Sequence, residues 1–168
     1  MYWLSAILIT LIIFFGFPLF FFFGAPFLPS YKKKVPPNFN KVFKRLKESG
    51  AKKFVDLGSG DGRVVIAFAK AGFESYGVEI NPLLIMWSKW RIKNLGLANA
   101  HILFGNLWHA NLSDFDCVFI FQFQAANKKL AEKFKRELKN GTIIISAGFH
   151  LEGLQLIDKE SPFLIYQK

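Results

Sequence analysis

The stretch VDLGSGDGR, residues 55–63, constrains this chain more than any other. A short apolar strand, Lys53–Leu57, runs into it, and an apolar helix, Arg63–Ala71, leaves it. Glycines stand at every second position, 58, 60 and 62, where a ligand can approach bare backbone at a helix N-terminus. The alternation continues along the chain. Strands are predicted at Ser75–Glu79, His101–Phe104, Asp116–Phe123 and Thr142–Ala147, and helices at Pro82–Leu95 and Asn127–Leu138. Two short strand candidates, Leu154–Ile157 and Phe163–Tyr166, close it. Such alternation means an α/β fold, a parallel sheet with helices on both faces. Ligands of these sheets bind beyond the carboxyl ends of the strands.

Two ligand classes use a glycine loop in this position. The dinucleotide fingerprint reads G-x-G-x-x-G. Here the third glycine, Gly62, comes one residue early, and Asp56 and Asp61 accompany the glycines. Nearby carboxylates repel a pyrophosphate but not a cationic sulfonium carrying an α-amino group. The loop therefore favours S-adenosylmethionine over a dinucleotide. Glu79 ends the second strand, where a carboxylate can accept hydrogen bonds from both ribose hydroxyls. Dinucleotide enzymes share that feature, so the discrimination comes from loop and acid together.

A different chemistry precedes the domain. Tyr2 to Phe23 contains no charged residue, long enough for a hydrocarbon core about 30 Å thick. A cleaved signal peptide would carry a basic start and a shorter apolar run. Phe20 to Phe23 is apolar on every face, unlike an amphipathic core helix. The expectation is one membrane span, with Pro18 kinking or ending it. The chain carries 22 Lys and Arg against 12 Asp and Glu, and nine of the basic residues lie between Tyr31 and Lys53. That local charge favours a membrane surface over nucleic acid as partner. Lys32, Lys33 and Lys34 place the following domain on the cytoplasmic side, or the matrix side in an organelle. Residues 1–30 are thus anchor and linker, 31–50 a basic amphipathic pre-domain segment, and 51–168 the catalytic domain. Phe39–Lys47 reads as the helix, with Val42, Phe43 and Leu46 as its apolar stripe. Its charged face either rests on headgroups or is simply solvated.

VDLGSGDGR with YGVEIN resembles motif I and the following acidic motif of class I S-adenosylmethionine-dependent methyltransferases. The segments GAPFLPS, VEINPLLIMWSKW and FGNLW, with the N-terminal span, resemble membrane-anchored protein-lysine methyltransferases. That family includes the enzyme modifying the ATP synthase c-subunit and prokaryotic relatives. The resemblance implies a Rossmann-like sheet, mostly parallel with an antiparallel C-terminal strand, preceded by one transmembrane helix. It implies that Gly58, Ser59, Gly60, Asp61 and Gly62 form the cofactor loop and that Asp56 orders its amides. It also implies that Glu79 holds the ribose, Ile80 packs on the adenine, and Asn106 and Leu107 flank the adenine edge. The family usually has Asp at the position of Asn106; Asn accepts without charge assistance. Phe27-Leu28-Pro29-Ser30 either folds over the cofactor or is plain linker.

The acceptor side should follow the fourth strand, at Phe121-Gln122-Phe123-Gln124. Gln122 and Gln124 are the candidates to hydrogen-bond an incoming amine, unless Gln122 only ends the strand, and Phe121 or Phe123 walls the site. The absence of an Asn-Pro-Pro-Tyr or Asp-Pro-Pro-Tyr sequence argues against methylation of adenine N6 or glutamine. The expected substrate is a protein lysine near the membrane. The rivals are a lipid or quinone acceptor, and a tethered binding module without turnover. His101, His109 and His150 show no metal-ligand spacing, and no metal is expected. Met86, Trp87 and Trp90 are assigned to the core, as is Cys117; Trp108 is placed to border the pocket.

Overall fold

A computed structural model describes residues 39–121, 124–160 and 162–168, together with Trp3, Ser5, Ile7 and Thr10. The expected span, the linker with Phe27-Leu28-Pro29-Ser30, and Gln122 and Phe123 lie outside the described residues, apart from those four. Among the described residues, no helix is long and apolar enough to cross a membrane.

The elements run α1 (Phe39–Glu48), β1 (Lys53–Leu57), α2 (Arg63–Lys70), β2 (Glu74–Glu79), α3 (Pro82–Asn94) and β3 (Ala100–Phe104). They continue with β4 (Cys117–Ile120), a short 3-10 turn (Gln124–Ala126), α4 (Asn127–Glu137), β5 (Ile143–Ala147), β6 (Gln155–Glu160) and β7 (Phe163–Gln167). One sheet holds all seven strands in the order β3-β2-β1-β4-β5-β7-β6. β1 to β5 pair in parallel, and β7 runs antiparallel to both β5 and β6. The strand order reverses direction at β1 and β4, which opens a crevice at their carboxyl ends.

Strand composition explains the layering. β1, β4 and β5 are nearly continuous apolar runs, as strands covered on both faces must be. On one face, Leu130, Ala131 and Phe134 of α4 pack with Val55, Leu57, Val118, Ile120 and Ile144. On the other, Phe39, Val42 and Leu46 of α1 join Phe54, Phe68, Phe119 and Phe163. The stripe of α1 is therefore Phe39, Val42 and Leu46; Phe43 stays partly exposed, stacked on Phe39 with 5.6 Å between ring centres. The charged face of α1 is partly used within the fold. Arg45 pairs with Asp158 at 2.9 Å and Lys41 with Glu160 at 3.6 Å, both on β6.

Two expectations are corrected. The fourth strand ends at Ile120, not Phe123, because pairing to β1 and β5 ends there. Met86, Trp87 and Trp90 are exposed rather than core; α3 buries Ile85, Ser88 and Ile92 instead.

Candidate active site

The loop after β1 and the turn after β2 form one hydrogen-bonded unit. Gly58, Gly60 and Gly62 have φ of 83°, 55° and 73°, left-handed values that side chains make costly. The amides of Gly58 and Ser59 donate to the carbonyl of Val78 at 2.8 and 3.1 Å, tying the loop to β2. Glu79 Oε2 accepts from Gly60 N at 2.8 Å, and its Oε1 accepts from Ile80 N and Asn81 N at 2.9 and 2.8 Å. Glu79 is thus fixed by three backbone donors at the carboxyl edge. A carboxylate has about four acceptor positions, which leaves room for a hydroxyl.

The glycines differ in what surrounds them. A side chain at Gly60 would meet nothing within 4 Å, so its backbone faces open space. At Gly62, a Cβ would lie 2.7 Å from Ser88 Cβ, because α3 packs directly on the loop. Gly77 on β2 leaves room for Ser59, whose hydroxyl would lie 2.5 Å from a Cβ there. Ser59 is buried under the loop and shapes it from below.

The acids play unequal parts. Asp61 is chelated by Arg63, at 2.8 and 2.9 Å, and also meets Arg91 Nη1 at 3.0 Å. Burial alone would raise the Asp61 carboxyl, but the hydrogen bonds and charges of Arg63 and Arg91 outweigh it and lower the pKa. The charge of Asp61 is therefore largely offset by the two arginines, contrary to the simple count of acids. Arg91 also donates to the Asp61 carbonyl at 2.7 Å, clamping the loop to α3. The sequence offered no local signal for this residue, which lies 30 positions away.

Asp56 is 4% exposed, and burial, then Glu79, then Asp61 push its carboxyl well above the ordinary value. The folded state thus holds this proton more tightly than the unfolded chain. Stability is fullest below the ordinary carboxylate range and declines as pH rises above it. A cation delivered beside Asp56 would reverse the shift and release the proton. Cofactor binding is expected to strengthen with rising pH, with proton release read by calorimetry in buffers of different ionisation enthalpy.

Beyond β3, Asn106 Oδ1 accepts from Trp108 N at 3.0 Å, and Asn106 O accepts from His109 N at 2.9 Å. The side chain shapes a turn and keeps a second lone pair. Leu107 and Trp108 are partly buried and pack against the main core. Lys129 Nζ lies 4.5 Å from the Trp108 ring centre. Ile80 is 37% exposed next to Glu79. On the acceptor side, Leu57 and Ile120 are register partners, so Gly58 and Phe121 leave neighbouring strands side by side. Phe121 faces Phe149 with 6.4 Å between ring centres. Among the described residues, no group of three or more His, Cys, Asp or Glu is disposed to hold a metal.

A cationic adenosyl ligand fits these features. The open backbone at Gly60 gives it room, Glu79 offers a fixed acceptor, and buried Asp56 gains from a nearby positive charge. Strand order and site together define a class I S-adenosylmethionine-dependent methyltransferase domain.

Comparison narrows the class. The chain belongs to the family of the ANTKMT methyltransferase domain, whose model matches residues 56–158. It is 35% identical over 125 residues to the ATP synthase c-subunit lysine N-methyltransferase of Rattus norvegicus, covering 74% of this chain and 56% of that protein. It is 35% identical over 133 residues to a protein-lysine N-methyltransferase of Saccharolobus islandicus, covering 74% of this chain and 83% of that protein. The chain spans about half the length of the animal relatives such as the rat enzyme. Among solved structures it is similar to an RNA methyltransferase from Salinibacter ruber in complex with S-adenosyl-L-homocysteine. That match has a TM-score of 0.65 and 27% identity, over 79% of this chain and 92% of that one.

Proposed function

We propose that this chain is a membrane-anchored protein-lysine N-methyltransferase acting on a lysine close to the membrane. The observation that carries the reading is the 35% identity to the Saccharolobus islandicus protein-lysine N-methyltransferase across 83% of its length. The name of the rat relative, which puts its target lysine in the ATP synthase, supports the same acceptor class. The uncharged run Tyr2–Phe23 with Lys32, Lys33 and Lys34 behind it supports the anchor, with the domain on the cytoplasmic or matrix side. A shared membrane raises the local concentration of a membrane-embedded substrate without any new contact.

When bound, S-adenosylmethionine supplies an electrophilic methyl group. The chain's task is to bring a neutral amine in line with it. A free lysine has a pKa near ~10.4, and an apolar, water-poor entry favours its neutral form. Phe121 and Phe149 offer such a wall beside the glycine loop. From the sequence alone, Gln122 is the candidate to hydrogen-bond the amine and Phe123 the alternative to Phe121 as a wall residue. The amine lone pair forms the new N–C bond as the S–C bond breaks with its electron pair going to sulfur. The ammonium proton leaves to solvent before attack. Alignment of this kind accounts for a large part of the acceleration such sites provide.

The same aromatic pair keeps one rival in view, an apolar lipid or quinone acceptor. The test uses full-length protein, tritiated S-adenosylmethionine and membranes from a strain lacking the gene. Label is expected in a small protein band. Label in the organic phase would support the lipid or quinone reading, and binding without any transfer would support a module without turnover.

A further inference from the structure

We propose that the outer face of α3 docks on an anionic phospholipid surface, so that the cofactor loop is held against the membrane; this rests on the anchoring part of the proposed function. The face consists of Leu83, Met86, Trp87 and Trp90, which are 62%, 67%, 50% and 54% exposed. Their spacing, i, i+3, i+4 and i+7, makes one continuous stripe along the helix. The opposite face carries Ile85, Ser88 and Ile92 and already packs on the domain. The fold therefore has no use for the outer stripe. Four large apolar side chains in a row on a small domain mark an interaction surface rather than scattered exposure.

The chemistry of the stripe matches a bilayer interface. Trp87 and Trp90 stack with 5.0 Å between ring centres, and indole is suited to the headgroup level, where one end is apolar and the other wet. Lys89 and Lys93 are exposed along one rim of the stripe, where they meet anionic headgroups. The length of chain outside the described domain agrees. Residues 24–38 separate the uncharged run from α1, and fifteen residues reach at most about 50 Å. A domain on so short a leash stays at the membrane surface, and this face offers it four large apolar side chains on one helix.

Docking bears on the site because α3 is the loop's support. Ser88 lies against Gly62, and Arg91 holds Asp61 by its carbonyl and carboxylate. A helix seated on the bilayer therefore places the glycine loop one helix diameter from the headgroups, about 10 Å. An acceptor lysine emerging from the membrane is then met at that height.

The test uses the full chain with Trp3→Phe and Trp108→Phe, so that only Trp87 and Trp90 emit. It is reconstituted into phosphatidylcholine vesicles containing phosphatidylglycerol and lipids brominated at defined depths. Emission is expected to shift to the blue. Quenching should be strongest from bromines about 5–10 Å below the interface, the depth of an in-plane amphipathic helix. Leu83→Ser with Met86→Ser, at exposed positions, should abolish the quenching while circular dichroism stays unchanged. Vesicles that float with the protein while Trp87 and Trp90 remain unquenched would overturn the docking and leave the anchor intact. Failure of the protein to float with vesicles would overturn the anchor and the docking together. A blue shift without quenching, dependent on protein concentration, would assign the stripe to a second copy of the chain. The same shift independent of concentration would assign it to the chain's own N-terminal segment, and both results overturn the proposal.

Discussion

Gly60→Val is expected to abolish measurable cofactor binding while the domain remains folded. A Cβ at Gly60 meets no neighbour within 4 Å, so the variant has no steric conflict inside the protein. Its φ of 55° is unfavourable for a β-branched residue and costs on the order of 1–3 kcal/mol. That is a fraction of the stability of an ordinary domain. The two branched methyl groups would instead fill the space through which a ligand reaches the backbone. A loss of about 100-fold or more in affinity, roughly 3 kcal/mol, is expected by calorimetry with S-adenosylhomocysteine. Gly62→Ala is the contrasting variant. Its Cβ would press on Ser88 at 2.7 Å and move α3 off the loop. It should lower the melting temperature more than Gly60→Val does, because the conflict is with backbone-anchored structure. Unchanged affinity in Gly60→Val would remove the cofactor from this loop.

Glu79→Ala is expected to damage binding and stability together. Three amides, of Gly60, Ile80 and Asn81, would lose a charged acceptor at once. A hydrogen bond to a charged group contributes about 1.5–3 kcal/mol, so apo stability should fall by an amount of that order. The ribose would also lose its acceptor, and affinity should fall by about 100-fold. The variant removes the second cause of the raised Asp56 pKa. The growth of affinity with pH should therefore be flatter than in the parent. A Glu79→Ala protein with parental affinity would mean that the carboxylate serves the loop alone.

The alternation of strands and helices was legible because apolar runs are separated by glycine, proline and charge. The order of the strands was not, since nothing in the period of a strand tells which neighbour it pairs with. Resemblance implied the antiparallel C-terminal strand, and β7 between β5 and β6 supplies it. α3 misled because it carries apolar residues on two faces. Counting Met86, Trp87 and Trp90 cannot tell which face meets the sheet, whereas Ile85 and Ile92 do so in the fold. At the site, Gly60 and Glu79 were legible from a strand end, a glycine pattern and an acid. The Asp61 clamp was half legible: Arg63 stands two residues away, but Arg91 arrives only through tertiary packing. Asn106 was recognised by position, while its use as a turn acceptor for Trp108 required the backbone.

The central claim is that this loop delivers a methyl group to lysine nitrogen. The most direct measurement is acid hydrolysis of the protein labelled from tritiated S-adenosylmethionine, followed by amino-acid separation. Radioactivity migrating as Nε-methylated lysine with the parent chain, and absent with Gly60→Val, is the predicted result. Label in methylated arginine or histidine, label released as methylamine from a methylated amide, or equal labelling by Gly60→Val, would contradict it.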